Sequence, residues 1–304
     1  MIRSGTHTPG ITAADFHLPA GTALRYERPI EALRPYFPSY AVLESDPAVF
    51  TDPGSWMLPG WAQIWIVLAE PPVGVTIGQR RYGPLGSVSL FGVTSKAMPV
   101  TAGGGVTVVV DVSPLGWARL FARSAALVRD QLVPLGDLLP AGWATALLAE
   151  IAQSDQDVSV KPLLDGFLLE RLPPPHADEA LIAQISKYLI DEATRDVGRV
   201  ASDLGVTPQM LLRQTKRYFG FPPKVLVARA RFIRAITAML LRADQAEGSV
   251  VPPGYHDASH FIRDGLRFLG MTPRRFLALE LPYLRAALRA RALVLDAPTP
   301  SLDR

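Results

Sequence analysis

Apolar positions along the chain fall into two regimes. Up to about residue 113 they come as short runs rich in aromatic and β-branched residues: Trp61–Ala69 (WAQIWIVLA), Val73–Ile77, Leu85–Phe91 and Val106–Val112 (VTVVVDV). Gly and Pro separate them, as Pro71-Pro72, Gly83-Pro84 and Gly103-Gly104-Gly105. Many short strands with such punctuation predict an antiparallel sandwich or barrel. From Pro114 the spacing turns helical. Trp117, Leu120, Phe121 and Leu127 predict one helix, and Trp143–Ile151 another. Pro140 is a candidate start for the second, because proline is tolerated in a helix's first turn.

Leu172-Pro173-Pro174-Pro175-His176 reads as a stiff linker. Beyond it the apolar spacing is mostly helical up to about Val294, and the last ten residues are expected to fray. The expected organisation is therefore a β-rich part with C-terminal helices over 1–172, a proline-rich linker over 173–177 and an all-helical part over 178–295.

The helical part contains a repeat offset by fifty residues. Arg213, Arg217, Gly220 and Pro223 recur as Arg263, Arg267, Gly270 and Pro273, and the apolar partners Leu211, Tyr218 and Leu226 recur as Phe261, Phe268 and Phe276. A repeated fold unit explains such a pair. In the first unit Val197, Val200, Ala201 and Leu204 form a buried helical stripe. Gly205 suits the helix exit, Thr207 an N-cap and Pro208 a first helical position. This predicts a helix-turn-helix whose second helix runs to about Phe219. Gln209, Arg213 and Arg217 share its exposed face at i, i+4, i+8. Arg suits guanine and Gln suits adenine, so this face has the chemistry for base edges, with Lys216 as a phosphate contact. In the second unit Asp257 caps a helix with Phe261 and Phe268 as core, and Ser259, Arg263 and Arg267 repeat the exposed spacing. Pro223–Arg242 reads as one helix of about 30 Å, close to the roughly 34 Å between recognition helices on one face of a duplex.

On these residues the segment 196–276 resembles the DNA-binding domain of the AraC/XylS transcription regulators. The matching stretches are Leu204-Gly205-Val206-Thr207-Pro208, Gly220-Phe221-Pro222-Pro223-Lys224, Gly254-Tyr255-His256-Asp257-Ala258-Ser259-His260-Phe261-Ile262-Arg263 and Arg267-Phe268-Leu269-Gly270-Met271-Thr272-Pro273. The resemblance implies two helix-turn-helix units in successive major grooves, with base or near-base contacts at Gln209, Arg213, Ser259, His260 and Arg263. Double-stranded DNA is thus the expected partner, with a homodimer, a contact with RNA polymerase, a cytoplasmic location and an activator role as further expectations, although the sequence does not reveal whether transcription rises or falls. More loosely, the N-terminal half resembles the cupin-like β-barrel sensory domains joined to this domain. The stretches that carry this are Gly92-Val93, Pro114-Leu115-Gly116-Trp117 and Val133–Leu139 (VPLGDLL). The expected fold class is thus α+β, an antiparallel barrel with flanking helices followed by an all-α double helix-turn-helix.

The sequence departs from that pattern in four places. The support helix of the second unit is due at about 245–253, where the chain reads QAEGSVVPP. Proline inside a helix costs about 3 kcal/mol, so a regular helix is not expected there. Gly265 weakens the second recognition helix by about 1 kcal/mol against Ala. Leu212 stands where a polar residue is common, and Thr215 where a core aromatic is. The second unit is expected to bind weakly or to need another contact that holds it.

Charge sharpens the DNA reading. Over the whole chain the net is +3, but residues 207–275 hold 12 Lys/Arg against 4 Asp/Glu, while residues 1–175 hold 12 against 15. A basic block confined to one end suits a polyanion. The chain has 48% hydrophobic residues, 19% charged and no cysteine, which excludes a disulfide framework and a thiolate zinc site. There is no apolar run of some 18 residues and no signal-peptide pattern at MIRSGTHTPG, so no membrane partner is expected.

Other chemistry is sparse. His7, His17, His176, His256 and His260 avoid the expected strands, which argues against a cupin metal site. Gly103-Gly104-Gly105 lacks the following Lys-Ser/Thr of a phosphate loop, and a GxSxG elbow is absent. No catalytic residue, metal or cofactor is expected. Trp56, Trp61, Gln63 and Trp65 put three indoles and an amide close together. They read either as a small-molecule effector pocket or as barrel core. Three functions remain open: an effector-responsive regulator, a regulator whose N-terminal half only dimerises or binds a protein, and a barrel enzyme with a DNA-binding appendage.

Overall fold

The computed structural model describes residues 1–50, 55–68, 73–101, 104–191, 197–242 and 252–297. Pro71-Pro72, Gly103, the stretch 245–251 with Gly248, and the chain end from 298 lie outside them.

Among the described residues ten strands fill the N-terminal half: β1 (Thr22–Glu27), β2 (Tyr40–Ser45), β3 (Ser55–Met57), β4 (Ala62–Val67), β5 (Gly74–Ile77), β6 (Arg80–Tyr82), β7 (Val88–Phe91), β8 (Met98–Thr101), β9 (Gly105–Val112) and β10 (Leu132–Pro134). Among the described residues they form two antiparallel sheets and not one closed barrel. One has the order β1-β2-β9-β4-β7-β10, the other β3-β8-β5-β6. The apolar runs, interrupted only by Gln63, Thr107 and Asp111 in β4 and β9, follow from burial of the first sheet on both faces. In β9, Val106, Val108, Val110 and Val112 face the helices, and Val109 faces the second sheet. In β4, Ile64 and Ile66 point the first way, Trp65 and Val67 the second. Between the sheets Leu24, Trp65 and Phe91 meet Val75, Met98 and Val100.

Helix α1 (Pro114–Leu120) starts as its residues predict, with Ser113 Oγ accepting the Gly116 amide at 3.1 Å. It does not reach Leu127. Phe121 is extended, the Trp117 indole donates to the Arg123 carbonyl at 2.9 Å, and Ala125–Leu127 form a separate 3₁₀ turn in which Leu127 is exposed. Gly92 explains this turn's position: a Cβ there would stand 1.9 Å from the Val128 carbonyl oxygen. Helix α2 (Trp143–Gln153) begins after Gly142 and not at Pro140, whose carbonyl instead accepts the Trp143 amide. Helix α3 (Val160–Arg171) covers the outer face of the first sheet with α2.

Among the described residues seven further helices follow: α4 (Glu179–Ile190), α5 (Val197–Asp203), α6 (Pro208–Phe219), α7 (Pro223–Leu241), α8 (Ala258–Phe268), α9 (Pro273–Leu277) and α10 (Pro282–Leu295). The expected linker is tied down. Arg119 Nη1 donates to the Pro173 carbonyl at 3.1 Å, and the His176 amide to Glu179 Oε1 at 2.9 Å. One core consequently runs from Val108 in the sheet through Leu164 and Ile182 to Leu211 and Phe219 in α6. A second joins Phe232 and Ile236 of α7 to Phe261, Phe268, Phe276 and Leu288. Helix α10 turns back onto the sheets. Its Ala290 and Val294 enter the inter-sheet core, where a fully buried valine contributes about 1.5–3 kcal/mol. No helix among the described residues is long and apolar enough to cross a membrane.

Candidate nucleic-acid interface and adjoining cavity

The two predicted recognition helices are α6 and α8. Thr207 Oγ1 accepts the Met210 amide at 3.1 Å, and Asp257 Oδ1 accepts the His260 amide at 2.7 Å. The caps stand fifty residues apart, so the helices start in the same register of the repeat. Helix α6 buries Leu211, Gln214, Thr215, Tyr218 and Phe219, and helix α8 buries Phe261, Asp264, Gly265 and Phe268. Gln209, Arg213, Lys216 and Arg217 are exposed on the first, Ser259, Arg263 and Arg267 on the second. The guanidinium of Arg217 lies over the Tyr218 ring at 5.3 Å, and that of Arg267 over the Phe268 ring at 5.1 Å. His260 is turned aside. Its Nε2 stands 3.0 Å from Arg231 Nη2 and its ring packs edge-on against Tyr255, which sets it at the margin of the exposed face.

Each recognition helix is anchored by a buried polar group at the same repeat position. Gln214 Nε2 donates to Asp178 Oδ2 at 3.3 Å, beside the Tyr218 hydroxyl at 2.5 Å. Asp264 Oδ2 accepts from Arg231 Nη2 at 2.8 Å and from the Tyr255 hydroxyl at 3.0 Å. The Tyr218 hydrogen bond holds the Asp178 carboxyl below the usual carboxylate range. Gly265 is explained by packing: a Cβ there would lie 2.4 Å from Pro273 Cδ, so α8 reaches α9 only without one.

The N-terminal half grips both helices at their C-terminal ends. The Ala97 amide donates to the Phe268 carbonyl at 2.7 Å, and Lys96 Nζ to the Arg267 carbonyl. Ser124 Oγ donates to the Lys216 carbonyl at 3.2 Å. The two bonds to α8 add to the hold of Arg231 and Tyr255 on the second unit. Arg229 of α7 is buried, with Nη1 donating to the carbonyls of Thr94 at 2.7 Å and Gly60 at 3.2 Å. Its guanidinium lies 4.6 Å over the Trp61 ring. Burial pushes its pKa down to about 10, opposed by Asp130.

Thr94, Gly60 and Trp61 also line a half-open cavity of about 240 Å³ between the two sheets and α10. Trp56, Gln63 and Trp65 line it too, so all four residues picked from the sequence come together there. Each indole also packs elsewhere: Trp56 edge-on to Phe276, Trp61 edge-on to Phe219, Trp65 against Phe91 at 4.4 Å. From α10 come Tyr283, Leu284, Leu288 and Arg291. The polar end is a linked network. Gln63 Nε2 donates to Asp111 Oδ1 at 2.7 Å and Gln63 Oε1 accepts from the Trp65 indole at 3.1 Å. Ser39 Oγ donates to Asp111 Oδ2 at 2.5 Å, and Arg291 Nη1 stands 3.3 Å from that oxygen and 2.7 Å from the Tyr26 hydroxyl. Sequence reading missed Arg229 and Arg291. The available signal was an arginine on the apolar stripe of each helix, beside Leu226, Ala230 and Ile233 in one and Leu284 and Leu288 in the other. Among the described residues no group of three or more His, Asp or Glu is placed to hold a metal.

Residues 200–278 match a family described as a helix-turn-helix domain. This segment is an AraC-type helix-turn-helix domain. Such a domain marks a DNA-binding protein of transcription regulation. The AraC-type domain thus spans α6, α7 and α8 and the two faces described above. No curated protein matches the chain in sequence. Among solved structures, apo ToxT of Vibrio cholerae in a variant form shares 12% identity at a TM-score of 0.42, covering 86% of this chain and 98% of that one. A second ToxT structure from Vibrio cholerae shares 12% at 0.39, covering 74% and 92%, and an unsaturated-fatty-acid-bound wild-type ToxT shares 13% at 0.39, covering 86% and 96%. Likeness at this level carries no chemical conclusion.

Proposed function

We infer that the protein is a sequence-specific transcription regulator that reads DNA with α6 and α8 and responds to a small molecule in the cavity between the sheets and α10. The observation that carries the second half is the placement of Arg229. It belongs to the helix joining the two recognition helices, and it bonds to two carbonyls of residues that line the cavity. A ligand against Trp61 and Thr94 therefore acts on the seat of α7 directly. Differential contacts of that kind are what an effector needs in order to shift an equilibrium.

The lining supports a reading of the effector's chemistry. Its charged members are Glu44, Asp111 and Arg291. Arg291 faces Asp111, and Glu44 Oε2 accepts the Ile2 amide at 2.5 Å. A carboxylate ligand would compete with the partly buried Asp111 for Arg291 and set a second anion beside it. The remaining walls are mainly aromatic and aliphatic, with Thr22, Ser55, Thr94 and Thr107 among the polar positions, and the Tyr283 hydroxyl is buried without a hydrogen-bond partner among the described residues. The fitting ligand is uncharged, mainly apolar or aromatic, and carries one hydrogen-bonding group for Tyr283. At about 240 Å³ the cavity is smaller than the roughly 300–1,000 Å³ of drug-sized sites, so the ligand is small.

The test is binding-site selection with the full chain, followed by thermal shift and operator affinity against uncharged aromatics and matched carboxylates. A neutral ligand at a hundred times its Kd stabilises by about 2.7 kcal/mol and changes operator affinity. An operator bound with no response to any small molecule would favour a regulator whose N-terminal half serves only for protein contacts.

A further inference from the structure

Eight large hydrophobic residues are exposed among the described residues, and three of them lie on the recognition helices: Leu212 on α6, Ile262 and Leu266 on α8. Single exposed aliphatics are ordinary on a protein surface. These are not randomly placed. Leu212 and Ile262 are exactly one repeat apart in helical register, each the fifth residue after its cap, Thr207 or Asp257. Each immediately precedes the arginine, Arg213 or Arg263, picked for base contact. At 3.6 residues per turn the exposed half of each helix spans positions 209, 212, 213, 216 and 217, or 259, 262, 263, 266 and 267. Leucine and isoleucine therefore stand at the same edge of the exposed arc on the two helices, on the side away from Arg217 and Arg267.

We propose that Leu212 and Ile262 read thymine 5-methyl groups, one in each half of the operator. This rests on the DNA-binding reading above and adds a base preference to it. The surrounding Arg213, Lys216, Arg217, Arg263 and Arg267 select a polyanion as the occupant of this face. In the major groove of a polyanionic duplex the thymine methyl is the distinctive apolar feature, and aliphatic contact with it is a recognised mode of readout. Leu212 or Ile262 beside its recognition arginine would otherwise be desolvated against phosphates and base edges without return. Adjacency fixes the pattern as well. Leu212 and Arg213 differ by about 100° around the helix, so each half-site pairs a thymine with a guanine within a base pair or two.

The experiment uses the full chain on the operator it selects, with thymines replaced one at a time by deoxyuridine, which keeps pairing and removes only the methyl. Wild-type protein should bind about fourfold more weakly for one substitution in each half, the loss expected for one buried methyl-sized group. Leu212→Ala should lose sensitivity at the position in one half only, and Ile262→Ala at that in the other. Both positions are exposed, so the variants should keep the wild-type melting temperature, which is measured alongside. Selected operators that bind tightly and show no deoxyuridine effect at any position overturn the methyl contact and leave the DNA-binding reading standing. Sensitivity that survives in both alanine variants overturns the assignment to these residues and makes them a surface for a protein partner. Failure to select any operator overturns both readings.

Discussion

The guanidinium of Arg229 donates to the backbone carbonyl of Thr94 at 2.7 Å across 135 residues of sequence. That bond joins the helix between the two recognition helices to a wall of the cavity. Arg229→Met keeps most of the apolar stem but leaves the buried Thr94 carbonyl without this donor. Hydrogen bonds to charged groups contribute about 1.5–3 kcal/mol, so the variant should lose that order of stability in denaturant unfolding. It should also lose the effect of any effector on operator affinity. Arg229, with its pKa near 10, stays charged through the neutral range. The loss should therefore be the same at pH 6 and pH 8, and a loss confined to one of them would show that another group carries the bond.

Asp178 gives a pH-dependent prediction. Its folded pKa lies below the unfolded value because the Tyr218 hydroxyl donates to it. A depressed carboxylate contributes stability that is fully present above its unfolded pKa of about 3.9 and is lost as pH falls through the folded value. Asp178→Asn should thus be less stable than wild type near pH 6, and the gap should close below about pH 4. Melting curves of the two proteins from pH 3 to 7 check this; a gap that stays constant down to pH 3 would refute it.

Two glycines on helices should respond in opposite directions. Gly265→Ala gains about 1 kcal/mol of helix propensity but drives a Cβ to 2.4 Å from Pro273 Cδ, an overpacking that typically costs 1–3 kcal/mol. The net change should be destabilising. Gly166 in α3 is exposed with nothing within 4 Å of an added Cβ, so Gly166→Ala should stabilise by up to about 1 kcal/mol. Thermal unfolding of both variants measures the contrast, and a stabilising Gly265→Ala would mean that α8 and α9 are not packed this closely.

How far the sequence could be read depended on the range of the interactions. Thr207-Pro208 and Asp257 announce helix starts through bonds spanning three residues, so α6 and α8 were legible. The valine run of β9 announced a strand, because Val106, Val108, Val110 and Val112 pack on one face and Val109 on the other. Leu127 misled because it fits a helical spacing from Trp117, yet the Trp117 indole bond to Arg123 closes a turn first. Gly265 looked like a weakness until Pro273 was placed against it. The return of α10 onto the sheets was not legible at all. Arg291 meets Tyr26 across 265 residues and Asp111 across 180, and no local pattern encodes such a pairing. For the cavity, the indoles were legible as a group, while the reason they enclose space lies in that distant helix.

The two recognition arginines should weigh alike. Sequence alone pointed to a weakly supported second unit, but α8 is held by Arg231, Tyr255, Lys96 and Ala97. A preorganised helix does not consume binding energy in becoming ordered. Arg213→Ala and Arg263→Ala should each cost about 1–3 kcal/mol of specific binding and differ by less than about 1 kcal/mol. Titrations on one operator at fixed salt decide it, and a several-fold larger loss for Arg213→Ala would show that α8 contributes little to base readout.

The central claim, that α6 and α8 both enter the major groove, is tested most directly by guanine-methylation footprinting of the full chain on its selected operator. The account predicts two protected major-groove patches centred about ten base pairs apart on one face of the duplex. One should vanish in Arg213→Ala and the other in Arg263→Ala. A single patch, or protection that neither substitution alters, would contradict it.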